Sequence, residues 1–203
     1  MKHDVLIIDD EQSVRESLSS VLATYGFKTA TCGHAREAVE RIQKSAPDCV
    51  VLDVRMPDMD GLSLQRMLAQ TAAGLPVIMI TGHADISMAV QAMRNGAFDF
   101  IEKPVDDEQL VASITSAIEQ RKQVSGPGLD EKSLTARYGL LTEREKSVAE
   151  MVAGGYSSAA IASTFSISVR TVDHHRASVL AKMQATSLPQ LIRFLLRILP
   201  PDL

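Results

Sequence analysis

Asp9 and Asp10 close one short apolar run, VLIIDD, and Asp53 closes another, VVLD. Thr81 ends a third, VIMIT, and Lys103 follows a fourth, FIEKP, directly before Pro104. Carboxylates collected into one crevice repel one another, so either their pKa values rise or a cation sits among them. Mg²⁺ suits such a place: it is hard, seeks oxygen, and is usually held by one or two carboxylates together with waters and phosphate oxygens. With a cation present Asp53 stays ionised and can act as a nucleophile, and a carboxylate that attacks phosphorus becomes an aspartyl phosphate. The metal and the Lys103 ammonium would offset charge on the equatorial oxygens, and the Thr81 hydroxyl can donate to one of them. Acids that are merely solvated would explain Asp9 and Asp10 taken alone. They would not explain five groups of these types at matching places.

Those places are strand ends. The apolar runs Val5–Ile8, Cys49–Leu52, Val77–Ile80 and Phe98–Ile101 read as strands, and Phe27–Thr31 as a weaker, alternating one. Helical spacing lies between them: Val14, Leu18, Val21, Leu22 and Tyr25 share a face, as do Ala35, Ala38, Val39 and Ile42, and Leu110, Ile114, Ala117 and Ile118. Strands alternating with helices predict an α/β fold with a parallel sheet. The unbroken apolar runs suit strands buried on both faces, and ligands of such sheets bind outside the carboxyl ends of the strands.

The chain has 203 residues and a formal net charge of -4. Residues 1–123 hold 12 Lys+Arg against 18 Asp+Glu, and residues 124–203 hold 9 against 7. The acidic half invites a cation, and the mildly basic half permits nucleic acid. Cys32 and Cys49 lack metal-ligand spacing and read as small buried hydrophobes in a reducing compartment. The first apolar run is too short for a signal peptide, and no run reaches the roughly 18 residues of a membrane span. A cytoplasmic protein with no membrane partner is expected.

Residues 1–123 resemble the receiver domain of two-component response regulators, through IIDDEQSVR, VVLDVRMPDMDG, VIMITGHAD and DFIEKP. The resemblance implies a doubly wound, flavodoxin-like sheet of order 2-1-3-4-5 and a sensor histidine kinase that phosphorylates Asp53. It implies that Asp10 and Asp53 ligate Mg²⁺ with the backbone carbonyl of Arg55, while Asp9 acts through water. Lys103 would contact the phosphate. Thr81 and Phe100 would form a switch pair, Thr81 moving toward the phosphoryl group and Phe100 turning inward behind it. Arg55 and His83, two places after Asp53 and Thr81, would tune water access and phosphate lifetime.

Residues 124–139 (VSGPGLDEKSLTARYG) read as a linker, partly helical. An all-helical pattern follows in 140–203. Thr142 with Glu145 forms a capping box, Gly154-Gly155 ends that helix, a short helix covers Ser158–Phe165, Ser168 caps a helix reaching Met183, and Ser187 caps a last one. On the last helix Leu188, Leu191, Ile192, Leu195 and Leu199 share a face suited to dimer contact or domain packing. The text from LLTEREKSVAEMVAGG to SVLAKM, with SLPQLIRFL, resembles the LuxR/FixJ-type helix-turn-helix, a small four-helix DNA-binding domain. Together the two halves look most like the FixJ-type subgroup.

In that reading Ile161, Ala162 and Phe165 brace the short helix, and Val172, His175, Val179 and Met183 form the inward stripe of the longer one. Asp173, His174 and Ala177 then face a major groove that admits one helix. Arg170, Thr171 and Arg176 are placed for phosphates, which fix register rather than sequence, and Lys182 could add another contact. Two departures from the family pattern stand out. Ser158-Ala159 replaces a frequent Asn-Lys, so a phosphate-contacting lysine is missing. Asp173 stands where many relatives carry lysine; an acid there accepts from cytosine N4 but repels phosphates. Weak binding by a monomer is expected.

The whole chain thus reads as a phosphorylation-switched transcription regulator. It is not an enzyme beyond self-phosphotransfer and slow autodephosphorylation. Its expected partners are a cognate kinase, double-stranded promoter DNA, a second copy of itself on phosphorylation, and RNA polymerase. Two rivals are a DNA-binding regulator whose receiver only dimerises, and a haloacid-dehalogenase-type phosphohydrolase. The phosphohydrolase would need a second acid where Arg55 stands.

Overall fold

A computed structural model describes residues 3–82, 85–122 and 131–200. The chain divides into two compact units, residues 1–84 with 95–126, and residues 85–94 with 127–203.

The first unit is a parallel five-stranded sheet of order β2-β1-β3-β4-β5. Its strands are β1 (Asp4–Ile8), β2 (Lys28–Cys32), β3 (Cys49–Asp53), β4 (Val77–Thr81) and β5 (Asp99–Glu102), joined through α1 (Gln12–Thr24), α2 (Ala35–Lys44), α3 (Gly61–Thr71), α4 (Ile86–Arg94) and α5 (Asp107–Lys122). By its contacts α4 is grouped with the second unit. Strand residues alternate between faces. Val5 and Ile7, Cys49 and Val51, Ile78 and Ile80, and Ile101 form one core with Leu18 and Leu22 of α1 and Leu110, Ile114, Ala117 and Ile118 of α5. Leu6, Ile8, Val50, Leu52 and Met79 are buried as well and point to the opposite face. Double burial is what the unbroken apolar runs encode.

The predicted stripe on α5 is buried throughout. On α1 it fails at one residue. Tyr25 is exposed, because the helix ends at Thr24 and Gly26, at φ +87°, turns the chain away. Cys32 and Cys49 are free thiols, both buried; burial pushes their pKa values up to about 11 and about 12.

The second unit holds α6 (Glu131–Gly139), α7 (Glu143–Ala153), α8 (Ser158–Phe165), α9 (Val169–Met183) and α10 (Leu188–Ile198). Three of these begin on the caps that the sequence announced, those of α7, α9 and α10, and the cap of α8 is added by the structure. Thr142 and Glu145 make the reciprocal capping box of α7, and Ser157, Ser168 and Ser187 cap α8, α9 and α10, the cap of α8 lying one residue before the helix's first, Ser158. The core joins Leu134 of α6, Ala149 and Ala153 of α7, Val179 and Met183 of α9, and Leu191, Phe194 and Leu195 of α10. Residues 131–139 of the segment read as a linker are therefore a helix packed into this core. Residues 123–130 lie outside the described residues.

Candidate phosphoacceptor site and nucleic-acid interface

Strand register brings the predicted groups together. Ile8 stands beside Leu52, Asp53 beside Ile80 and Thr81 beside Glu102, so Asp9, Asp53, Thr81 and Lys103 emerge at one edge of the sheet. Asp9 is fully buried, with Asp53 and Thr81 nearly so. The ammonium of Lys103, whose side chain is 21% exposed, lies 2.8 Å from Asp9 Oδ2 and 2.7 Å from Asp53 Oδ1. It links the two acids as their shared counter-charge. Asp9 Oδ1 accepts from the backbone N–H of Glu11 at 2.9 Å, and Asp53 Oδ2 from that of Arg55 at 2.6 Å.

Burial raises the pKa of Asp53, and the Lys103 ammonium only partly opposes it. The Lys103 pKa is raised too. There burial works the other way and is outweighed by hydrogen bonds and charge from Asp53 and Asp9.

Asp10 is exposed at the rim, and so is the Arg55 side chain. Phe100 is already inside, 6% exposed, so the expected inward turn finds it buried. His83 lies outside the described residues. Among the described residues no three acids, histidines or cysteines stand close enough to enclose a metal by themselves. Mg²⁺ keeps much of its water and takes oxygen ligands, so a site that offers fewer than three enclosing acids is of the kind that would suit it.

Two positioning groups escaped the sequence reading. Arg15 Nη1 donates to the carbonyl oxygens of Asp9 at 2.6 Å and Asp10 at 2.9 Å, pinning the loop that carries both acids. Its signal was the arginine of the quoted IIDDEQSVR. Gly61 starts α3 against the end of β3, where any Cβ would land on the Asp53 carbonyl oxygen. Its signal was the glycine that ends VVLDVRMPDMDG.

In the helical unit α8 leads through Ser166, at φ 54°, and Ile167 into α9. Ile161 and Ala162 are buried and Phe165 half-buried. The Arg144 guanidinium lies 4.2 Å from the centre of the Phe165 ring and donates to the Phe165 carbonyl at 3.2 Å, tying the end of α8 to α7. On α9 Val172, Val179 and Met183 are buried and His175 half-buried, while Arg170, Asp173, His174 and Ala177 are exposed. Thr171 is engaged at the cap, its hydroxyl 2.8 Å from that of Ser168. Arg176 donates to Ser158 Oγ at 2.7 Å, and Lys182 to Glu145 Oε2 at 2.6 Å. Of the four groups expected at phosphates, Arg170 is the one whose side chain stands exposed.

Residues 5–115 match the family described as response regulator receiver domain, and residues 139–195 that of bacterial regulatory proteins, luxR family. This chain is a response regulator with a LuxR-type helix-turn-helix. The regulator is 41% identical over 198 residues to the transcriptional regulatory protein FixJ of Rhizobium meliloti, covering 96% of this chain and 95% of that protein. It is 37% identical over 196 residues to FixJ of Bradyrhizobium diazoefficiens, covering 97% and 96%. The crystal structure of full-length FixJ from B. japonicum is similar at a TM-score of 0.59, with 37% identity and 98% of each chain covered. The regulator thus belongs to two-component signalling and controls transcription; its receiver implies a sensor kinase and its second domain implies DNA. Both matched domains are regulatory rather than catalytic. Among the described residues no helix is long and apolar enough to cross a membrane.

Proposed function

We propose that Asp53 accepts a phosphoryl group from a histidine kinase and that the new charge governs DNA binding by α9. The observation that carries this reading is the Lys103 ammonium set between Asp9 and Asp53 at 2.8 and 2.7 Å. It gives a buried carboxylate its counter-charge and orients it at the carboxyl ends of the strands. An Asp53 oxygen attacks phosphorus as the P–N bond to the kinase imidazole breaks, and the imidazole takes up a proton. Lys103 then has a phosphoryl oxygen in place of a carboxylate oxygen to pair with, and the Thr81 hydroxyl donates to another. Asp10, Asp53 and the Arg55 carbonyl would hold Mg²⁺, with Asp9 acting through water; bound there, the ion would offset charge on the phosphoryl oxygens. Exposed Arg55 stands where it can screen the anhydride from water, so Arg55→Ala should change the rate of phosphate loss.

A buried acyl phosphate adds about -1.5 to -2 of charge, enough to bias the Thr81 and Phe100 arrangement. Phosphorylation should favour a two-fold dimer, which matches paired half-sites. Intact-mass spectrometry after exposure to acetyl phosphate and Mg²⁺ tests the first step. One phosphoryl group is expected on the wild type and none on Asp53→Asn. An unlabelled wild type overturns the proposal. Sedimentation of the same samples tests dimerisation, and an unchanged mass removes it from the mechanism.

A further inference from the structure

A hydroxyl at the start of α8 links two charged side chains of α9. Ser158 Oγ donates to Asp173 Oδ1 at 3.0 Å and accepts from Arg176 Nη1 at 2.7 Å. Arg176 Nη1 itself stands 3.7 Å from Asp173 Oδ1. A hydroxyl carries one donor and two acceptor sites, so it can serve both partners at once. The arrangement fixes the Asp173 carboxylate by one oxygen. The other, Oδ2, has no hydrogen-bond partner among the described residues, and the side chain is 56% exposed on the outward face of α9. Arg176, by contrast, is drawn in: its side chain is 22% exposed and its Nε is buried without a partner.

We propose that Asp173, held by Ser158 and Arg176, selects cytosine at one position of the DNA that each copy reads, with Ser158 as the positioning residue. The inference rests on the reading that α9 enters the major groove. A carboxylate oxygen only accepts. Guanine presents acceptors at N7 and O6, and thymine an acceptor at O4 beside a methyl group, so both are rejected. Adenine offers a donor at N6, but its neighbouring N7 acceptor opposes the second carboxylate oxygen. Cytosine N4 offers a donor with no adjoining acceptor. The nearby guanidinium offsets the charge of Asp173 and lessens its repulsion of the phosphates. Ser158 therefore does something other than leave a gap where relatives have a polar pair: it orients the reader.

The test is selection from a random-sequence duplex pool by the full-length protein treated with acetyl phosphate and Mg²⁺. Wild type, Asp173→Ala, Asp173→Asn, Ser158→Ala and Ser158→Thr are compared. Wild type should enrich cytosine at one position per bound copy, about tenfold over the other bases. Asp173→Ala should abolish that preference, and Asp173→Asn should move it toward adenine, whose N6 and N7 an amide can bond together. Ser158→Ala should weaken it at the same position, and Ser158→Thr, which keeps the hydroxyl, should restore it. A merely structural serine would change affinity without changing which base is chosen. Identical base distributions for wild type and Asp173→Ala would overturn the inference while leaving groove reading intact. An unaltered preference in Ser158→Ala would overturn the positioning role. Failure of wild type to enrich any sequence would overturn groove reading and this inference with it.

Discussion

Asp9 and Asp53 share a single ammonium at 2.8 and 2.7 Å, and that economy makes the site sensitive to one side chain. Removing one partner of a buried charge pair costs about 3–5 kcal/mol, because the remaining charge is left uncompensated. Lys103→Met should therefore lower stability by about 3 kcal/mol in urea denaturation without divalent cation. If the proposed Mg²⁺ site exists, added Mg²⁺ should recover part of the loss, since a bound cation would replace the missing charge. Gly61 is constrained by shape rather than charge. A Cβ there would meet the Asp53 carbonyl oxygen and also lie 2.9 Å from Val54 Cα, both backbone atoms that cannot swing aside. Gly61→Ala should cost about 2–4 kcal/mol and slow labelling of Asp53, because the strain falls on the residue proposed to react. Denaturation midpoints and phosphorylation rates measured together check both effects.

At the scale of elements, Glu145 ties α7 to α9. Its carboxylate accepts from the Thr142 N–H at 2.7 Å, from Ser178 Oγ at 2.5 Å and from Lys182 Nζ at 2.6 Å. The Lys182 hydrogen bond, followed by that of Ser178, holds its pKa down from 4.5 to about 2. A folded-state pKa below the unfolded one stabilises the fold above the unfolded value, and the contribution is lost as pH falls through the folded value. The stability gap between wild type and Glu145→Gln should thus be full above about pH 4.5 and should close as the pH falls toward about 2. Thermal melts across that range measure it. Leu134, fully buried among α6, α9 and α10, tests whether α6 is part of the helical core. Leu134→Ala should cost about 2–4 kcal/mol, whereas a plain tether would tolerate the change. Denaturation followed by helical signal distinguishes the two.

For the whole molecule, a net charge of -4 and few free cations on α9 set the character of DNA binding. Each phosphate neutralised contributes about -0.9 to the slope of log K against log salt. With Arg170 exposed and Arg176 and Lys182 engaged inside the protein, a slope of only about -2 to -4 is expected for a bound dimer. Binding isotherms over a salt series check this, and a much steeper slope would mean that Arg176 and Lys182 leave their partners to meet phosphates. Shallow salt dependence would throw more of the affinity onto base contacts, the role proposed for Asp173.

Local signals sufficed for a large share of this architecture. Apolar runs ending in Asp53 and Thr81 defined strands and strand-end chemistry, because parallel strands buried on both faces leave no room for polar residues until they emerge. The serine and threonine caps placed α7, α9 and α10 almost to the residue, since an unsatisfied helix N-terminus needs such a side chain within one turn. The sequence by itself therefore determined the α/β class, the acidic edge and the helix-turn-helix. Only the tertiary structure decided which charges meet: that Lys103 joins Asp9 to Asp53, that Arg15 holds the acidic loop, that Lys182 belongs to Glu145, and that Ser158 grips Asp173 and Arg176. Apolar burial follows a period written along the chain. Pairing between long polar side chains depends on atoms brought within about 3 Å across separate elements, and no local pattern records that distance.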